Sequence, residues 1–394
     1  MKKLSLLLLG IGLMVGAFEI LGRDLPAQVN GNSFLAKAKE DFVTRMSQAG
    51  IVGGSLVVLQ ADCELLEVNC GWGNLENKAP ADSATIYDWG SITKLITSLA
   101  IMQLEHHGGL RIDDPVVKYV PAFRNIKNPF HDTDAITLRM LMSHTSGLQE
   151  ASFLVPLSWD DEWPIWQQIE PNLNYMRVER KPGTGYGYSN LGPMLLGRVI
   201  EVVTRDNYET FIDKNIFKPL EMAESYFNAT PYHLKKNKAQ SYFAGSKGSL
   251  RKLYAPDLDQ GFTMTNGGWK CSIQDFKKFV RFLLGSDNPR TQTIYNGVIP
   301  RPILEAMWIP VVGAGQADLA AGLGFLVKIQ NGMSFIGSSG GANGFVSNMF
   351  IHRESKTGVF MVGNTDNFVD VMRPIRDFLI EALARRKSHR ESSN

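Results

Sequence analysis

Strand-type patterns in this chain cluster near its two ends, and a long stretch of helical periodicity separates them, so a single sheet has to be assembled from both ends. Ser55 to Gln60 and Leu65 to Gly71 are apolar and β-branched around the polar turn Ala61-Asp62-Cys63-Glu64, which predicts a hairpin. Gly324 to Ile329, Met333 to Gly337, Gly344 to His352 and Thr357 to Gly363 read as further strands, joined by the turns Gln330-Asn331-Gly332 and Arg353-Glu354-Ser355-Lys356. Ser33 to Gly50 is amphipathic, with Leu35, Ala38, Phe42 and Met46 on one face, and Phe368 to Arg386 reads as a closing helix. Between these ends, helical spacing covers Ile92 to Glu105, Thr137 to Met142, Asn190 to Thr204, Tyr208 to Ile216 and Ser272 to Leu284, where Ser272 and Asp275 form an N-cap pattern. The pattern predicts an α+β fold: a sheet part over 28–88 and 320–390, a mainly helical part over 89–319, and a cleft between them. No internal repeat or low-complexity linker divides residues 28–390, so they read as one unit.

With 44% hydrophobic residues the chain can supply a sizeable core. Its 41 basic and 39 acidic side chains leave a formal charge of +2, too weak a field to argue for nucleic acid or for an anionic membrane surface. The three cysteines, Cys63, Cys70 and Cys271, make no disulfide framework and carry no assigned chemistry. The seven histidines contain no His-Glu-x-x-His pattern, and the neighbours His106 and His107 point to different helix faces, so neither a catalytic metal nor any other cofactor is expected. Lys2 and Lys3 precede an apolar run from Leu4 to Phe18 that Glu19 breaks, which resembles a secretory signal over 1–27, with Val15-Gly16-Ala17 or Leu25-Pro26-Ala27 as the cleavage site. Export to a periplasm or the medium is the expectation, with residues 4–22 as a membrane anchor if the segment stays uncut. The run is short for a membrane span, and no cysteine follows it to carry a lipid.

The chemistry starts at Trp89 to Leu104, a helix that is apolar around almost its whole circumference and is therefore expected to be buried. Ser91, Lys94 and Ser98 lie along one line of it, because positions three and four apart share a face. A lysine buried beside Ser91 has its pKa lowered and becomes a base that activates the hydroxyl; the alternative is a lysine that snorkels outward or pairs with Glu105. In the glycine-rich stretch Lys181 to Gly192, Tyr188 and Asn190 stand before a helix that starts at Leu191. A tyrosine beside an ammonium holds its phenolate more easily and so accepts a serine proton; the alternative is that Tyr188 packs and Asn190 caps the helix. Ser338, Ser339, Gly340 and Gly341 end an expected edge strand whose lack of bulk lets a carbonyl approach, so that a backbone N–H there and that of Ser91 would form an oxyanion hole. The alternative is a flexible connection. Gly337 to Gly341 also matches a Gly-x-Ser-x-Gly nucleophile elbow at Ser339, but that elbow needs a helix after it and the sequence continues as a strand.

Ser91-Ile92-Thr93-Lys94, Tyr188-Ser189-Asn190 and the late strand resemble, in order and spacing, the penicillin-recognising serine hydrolases, a family that includes class C β-lactamases, D-Ala-D-Ala carboxypeptidases and related esterases and aminopeptidases. The segments 110–123, 136–148, 182–204, 211–222 and 267–284 are also similar to the family, and the resemblance runs from about Phe34 to the closing helix. It implies a β-lactamase/DD-peptidase-like fold with an antiparallel sheet, and an acyl-enzyme formed on Ser91 with Lys94 and Tyr188 moving its proton. It further implies Asn190 holding substrate or Lys94, Ser338 and Gly340 at the substrate, and an oxyanion site of the Ser91 and Gly341 N–H groups. His144, in a His-Thr-Ser-Gly segment that looks structural in the family, is left out of the site. The late motif of the family normally opens with Lys or His; Ser338 stands there instead and carries no charge for a substrate carboxylate. The expected substrates are therefore small uncharged esters or amides, with D-Ala-D-Ala peptides or β-lactams as the alternative and a catalytically weak binding or scaffold protein as another. Trp159, Trp163 and Trp166 are candidates for an apolar acyl pocket or for core packing. Oligomeric state has no signal in the sequence.

Overall fold

A computed structural model describes residues 33–130, 135–150, 164–245, 250–252, 257 and 260–391. The expected signal or anchor segment, Trp159 and Trp163 lie outside the described residues. Helix α1 (Ser33–Gln48) buries Leu35, Ala38, Phe42 and Met46, the face its periodicity predicts. Strands β1 (Gly53–Gln60) and β2 (Cys63–Asn74) form the expected hairpin, which turns at Ala61 with φ +50°. After β3 (Ala79–Pro80) and a short turn at Gly90–Ile92 comes α2 (Thr93–His106), in which every residue from Thr93 to Leu104 is buried. Helices α3 (Leu191–Thr204) and α4 (Ile273–Leu284) follow, the latter capped by Ser272 Oγ, which accepts from the Asp275 N–H. The chain then returns to the sheet as β4 (Val312–Gln316), β5 (Leu319–Ala321), β6 (Leu326–Gln330), β7 (Met333–Ala342), β8 (Phe345–His352) and β9 (Thr357–Gly363), and closes with α5 (Val369–Glu391).

These strands make one nine-stranded sheet in the order β3-β2-β1-β9-β8-β7-β6-β5-β4, antiparallel throughout. The two ends of the chain meet at the β1–β9 pair, in register from Gly54 opposite Gly363 to Gln60 opposite Thr357. Side chains alternate between the faces of a strand. Leu56, Val58, Phe350 and Met361 pack on α1 and α5, where Phe42 meets Phe368 edge-on at 6.2 Å. Val57, Leu59, Ile336, Met349 and Phe360 face the helical part, and there Trp89 stacks on Phe276 at 3.5 Å and touches Phe360. The result is three layers: α1 with α5, the sheet, and the helical part.

Several expectations are corrected. The sheet resumes at Val312, before the expected boundary at 320. β7 is an interior strand over Met333–Gly337, paired with β6 and β8; only residues 338–342 run past β6 and keep a partner on one side, so the edge is local to the small-residue stretch. The stretch Tyr208 to Ile216 divides into a helix, Tyr208–Ile212, and a π-helical turn, Asp213–Phe217. Helices Pro289–Val298 and Arg301–Ala306 were not predicted. All three cysteines are free. Among the described residues no helix is long and apolar enough to cross a membrane.

Candidate functional site

Ser91 sits in the turn that feeds α2, and glycine makes that turn possible. Gly90 has φ +55°, and a methyl group on it would fall within 2.9 Å of the Gly341 backbone, so only glycine lets the turn and β7 touch. The turn is locked by Thr93 Oγ1, which donates to the Gly90 carbonyl at 2.6 Å and accepts from the Trp269 N–H at 3.0 Å. On the other side, a methyl on Gly340 would lie 2.0 Å from the Trp89 carbonyl oxygen, to which Ser347 Oγ donates at 2.9 Å. The backbone at Ser91 and the Gly340-Gly341 stretch of β7 are thus held together.

One helical turn later, Lys94 is 4% exposed, with Nζ 2.9 Å from Ser91 Oγ and 2.7 Å from the Asn266 carbonyl oxygen. Burial brings its pKa down from 10.5 to about 7, and the Glu150 carboxylate opposes that fall. An amine near that value spends much of its time neutral at neutral pH, and its two hydrogens then match its two bonds, in which Nζ donates to Ser91 Oγ and to the Asn266 carbonyl. The alternative pairing with Glu105 does not occur: Glu105 accepts from the Ile112 N–H.

Tyr188 reaches Ser91 from the opposite wall, its hydroxyl 2.8 Å from Ser91 Oγ. The loop that carries it is fastened to the segment after Met142: Gly187 N–H donates to the His144 carbonyl at 2.8 Å, and Ser189 Oγ to the Gln149 carbonyl at 2.8 Å. The ring is 42% exposed, yet the hydroxyl end is enclosed, and burial pushes the phenol up to about 12 while the Ser91 bond pulls the other way. This reverses the sequence expectation of an eased phenolate: the ammonium that would have eased it is itself the group that burial neutralises. Asn190 caps nothing, since its backbone is helical and its side chain makes no bond to the helix end. Its Oδ1 accepts from the Tyr188 hydroxyl at 3.3 Å and its Nδ2 donates to Glu150 Oε1 at 2.8 Å, so it steadies Tyr188, a role beside the expected one of holding substrate or Lys94.

His144, excluded on sequence grounds, lines the site. It adopts φ +55°, its ring lies 4.8 Å from that of Tyr188, and its Nδ1 accepts from the Ser189 N–H. Burial, with Lys94 nearby, lowers its pKa to about 3. A neutral ring with Nδ1 already occupied serves as a wall for Tyr188. Ser338 shares the face of Ile336 and Gly340 and lines the cleft, whereas Ser339 points to the opposite face, where Asn348 Nδ2 donates to its Oγ at 2.9 Å. The elbow at Ser339 is therefore mid-strand, with no helix behind it.

The cleft at Ser91 has a volume of about 170 Å³ and combines Lys94, His144, Tyr186, Tyr188 and Ser338 with an apolar wall of Met142, Phe325 and Leu326. That wall was not predicted; a glycine-flanked Phe325 before β6 was its only trace in the sequence. Trp166 belongs to the core, 4% exposed and packed on Phe262 at 5.3 Å. A larger cavity, of about 360 Å³, lies away from Ser91 beside Arg301, Glu305 and Arg353. Its charged groups neutralise one another, Glu305 accepting from both arginines. Among the described residues no group of His, Cys, Asp or Glu is placed to hold a metal ion.

A family model described as "Beta-lactamase" matches residues 38–384. The chain is 27% identical over 241 residues to "Protein flp" of Staphylococcus aureus strain NCTC 8325 / PS 47, a match covering 61% of this chain and 47% of that protein. The matched segment thus spans about half the length of that curated relative. The octameric penicillin-binding protein homologue from Pyrococcus abyssi superimposes with a TM-score of 0.71 at 26% identity, over 84% of this chain and 73% of that one. A class C β-lactamase superimposes with a TM-score of 0.72 at 19% identity, over 91% and 98% of the two chains, a likeness of fold.

Proposed function

The chain belongs to the β-lactamase family, and from that premise we propose that it is a serine hydrolase that forms an acyl-enzyme on Ser91 with small uncharged esters or amides. The observation that carries this reading is the Lys94–Ser91–Tyr188 line, with contacts of 2.9 and 2.8 Å on either side of one hydroxyl oxygen. Neutral Lys94 takes the Ser91 proton as Oγ bonds to the substrate carbonyl and the carbonyl π pair moves onto oxygen. The N–H groups of Ser91 and Gly341 are the donors assigned to that oxyanion. When the tetrahedral intermediate collapses, the leaving group departs with the proton, returned from Lys94 by way of the Tyr188 hydroxyl; water then repeats the sequence and frees Ser91.

The preference for uncharged substrates rests on Ser338. The cleft presents hydroxyls and a lysine that is half neutral near pH 7, and the Glu150 carboxylate, whose charge acts on Lys94, opposes an anion. A D-Ala-D-Ala carboxypeptidase or β-lactamase is the second reading, favoured by the family itself. The apolar run behind Lys2 and Lys3 supports export.

Intact-protein mass spectrometry after exposure to a fluorophosphonate and, separately, to a penicillin tests the reading. Fluorophosphonate alone should label the wild type, and Ser91→Ala should take no label, lose at least about 10³-fold in ester hydrolysis, and melt with the wild type. Labelling by both reagents moves the function to penicillin-binding chemistry. Labelling by neither in a folded protein removes Ser91 as a nucleophile.

A further inference from the structure

We infer that Glu150 is a positioning residue of the site: its carboxylate holds Asn190 by both backbone and side chain, and through Asn190 fixes the Tyr188 hydroxyl on Ser91, an assignment that rests on the acyl-enzyme reading above. Glu150 Oε1 accepts from Asn190 Nδ2 at 2.8 Å and Oε2 from the Asn190 N–H at 3.2 Å. A carboxylate only accepts, so it selects the orientation of the amide in which Nδ2 faces Glu150 and Oδ1 faces Tyr188. The Tyr188 hydroxyl then has two neighbours, Asn190 Oδ1 at 3.3 Å and Ser91 Oγ at 2.8 Å.

The same carboxylate sits at the start of the 14-residue helix α3, whose N-terminal Asn190 supplies no side-chain cap of its own. A negative charge belongs there, where unpaired N–H groups and the helix dipole both favour it.

Glu150 is also the counter-charge of the base. Around Lys94, among the described residues, the His144 ring is neutral, Tyr186 and Tyr188 are protonated phenols, the 264–267 segment offers the Asn266 carbonyl, and β7 offers the Ser338 hydroxyl. Once Lys94 has taken the serine proton, Glu150 is the charge that favours the ammonium, consistent with its upward pull on the lysine.

The test is the pH dependence of Ser91 labelling by a fluorophosphonate in Glu150→Gln and Glu150→Asp. Glutamine keeps the volume and one acceptor but removes the charge, so Lys94 stays neutral to lower pH. The acidic limb of the profile should move down by about one pH unit, and the plateau rate should fall about tenfold as Asn190 loses an anchor. Aspartate keeps the charge at shorter reach, so its limb should stay near the wild type while its plateau falls. A limb that does not move in Glu150→Gln overturns the assignment whatever the rate, because a side chain of merely structural importance changes the rate and leaves the limb in place. A wild type that takes no label on Ser91 at any pH is a different result, the failure of the acyl-enzyme reading itself.

Discussion

Burial makes Lys94 a base and at the same time works against the fold. In the unfolded chain the amine binds its proton up to about pH 10.5; in the folded protein it does so only to about pH 7. Between those values the unfolded state holds more protons, so this group's contribution to stability rises with pH through that window and is most unfavourable below it. The gap corresponds to a penalty on the order of a few kcal/mol at and below neutral pH. Lys94→Met should therefore be inactive yet melt higher than the wild type at pH 6, with the advantage shrinking as the pH approaches 10. Thermal melts of both proteins at pH 6 and 9.5 measure it, and a difference of equal size at both pH values would mean that the amine is not desolvated. At this scale the sequence was informative where chemistry follows local spacing. Ser91 and Lys94 share a helical line, and the small residues after Ser338 stand out by composition. His144 and Glu150 carried no such signal: each acts on residues about 40 positions later through contacts that exist only after folding.

The junction between the Ser91 turn and β7 is a matter of elements. Residues 338–342 run beyond β6, which leaves one side of that stretch open to a substrate, while Gly340 packs directly on the Trp89 carbonyl. Gly340→Ala would place its methyl 2.0 Å from that oxygen and 2.6 Å from Ser347 Oγ, so β7 must move off the turn. The expected cost is about 1–3 kcal/mol of stability with a large loss of activity. Gly341→Ala meets nothing closer than 4.0 Å, and should melt with the wild type. Equal melting temperatures for the two variants in calorimetry would contradict this account of the junction. Elements with a clear apolar period, such as α1, α4 and the β1–β2 hairpin, were legible. Val312–Gln316 was not, because Val-Gly-Ala-Gly-Gln lacks alternation and is a strand by virtue of its partner β5. Helix Pro289–Val298 buries only Val298, so it offered no stripe to read.

That one sheet is built from both ends was visible in the order of patterns; the strand order was not, since β1 finds β9 across some 300 residues and no local signal encodes that partner. The consequence for the whole molecule is a core without a seam. Val57, Leu59 and Phe360 from the sheet share one cluster with Trp89, Trp269 and Phe276 from the helical part, and Lys277 of α4 is held by Glu64 and Glu67 of β2. Neither part can bury its apolar face alone, so the two should unfold together although the chain is long enough for two independent domains. Far-ultraviolet circular dichroism reports helices and strands throughout, and tryptophan fluorescence reports mainly the helical side and its boundary with the sheet; their melting curves should coincide. Trp89→Ala empties the centre of the shared cluster, between Phe276 and Phe360, at a cost of about 3–5 kcal/mol. It should lower both curves by the same amount. If the fluorescence transition moved while the dichroism of the sheet stayed behind, the helical part would be a domain of its own, and the cleft at Ser91 would lie at a hinge.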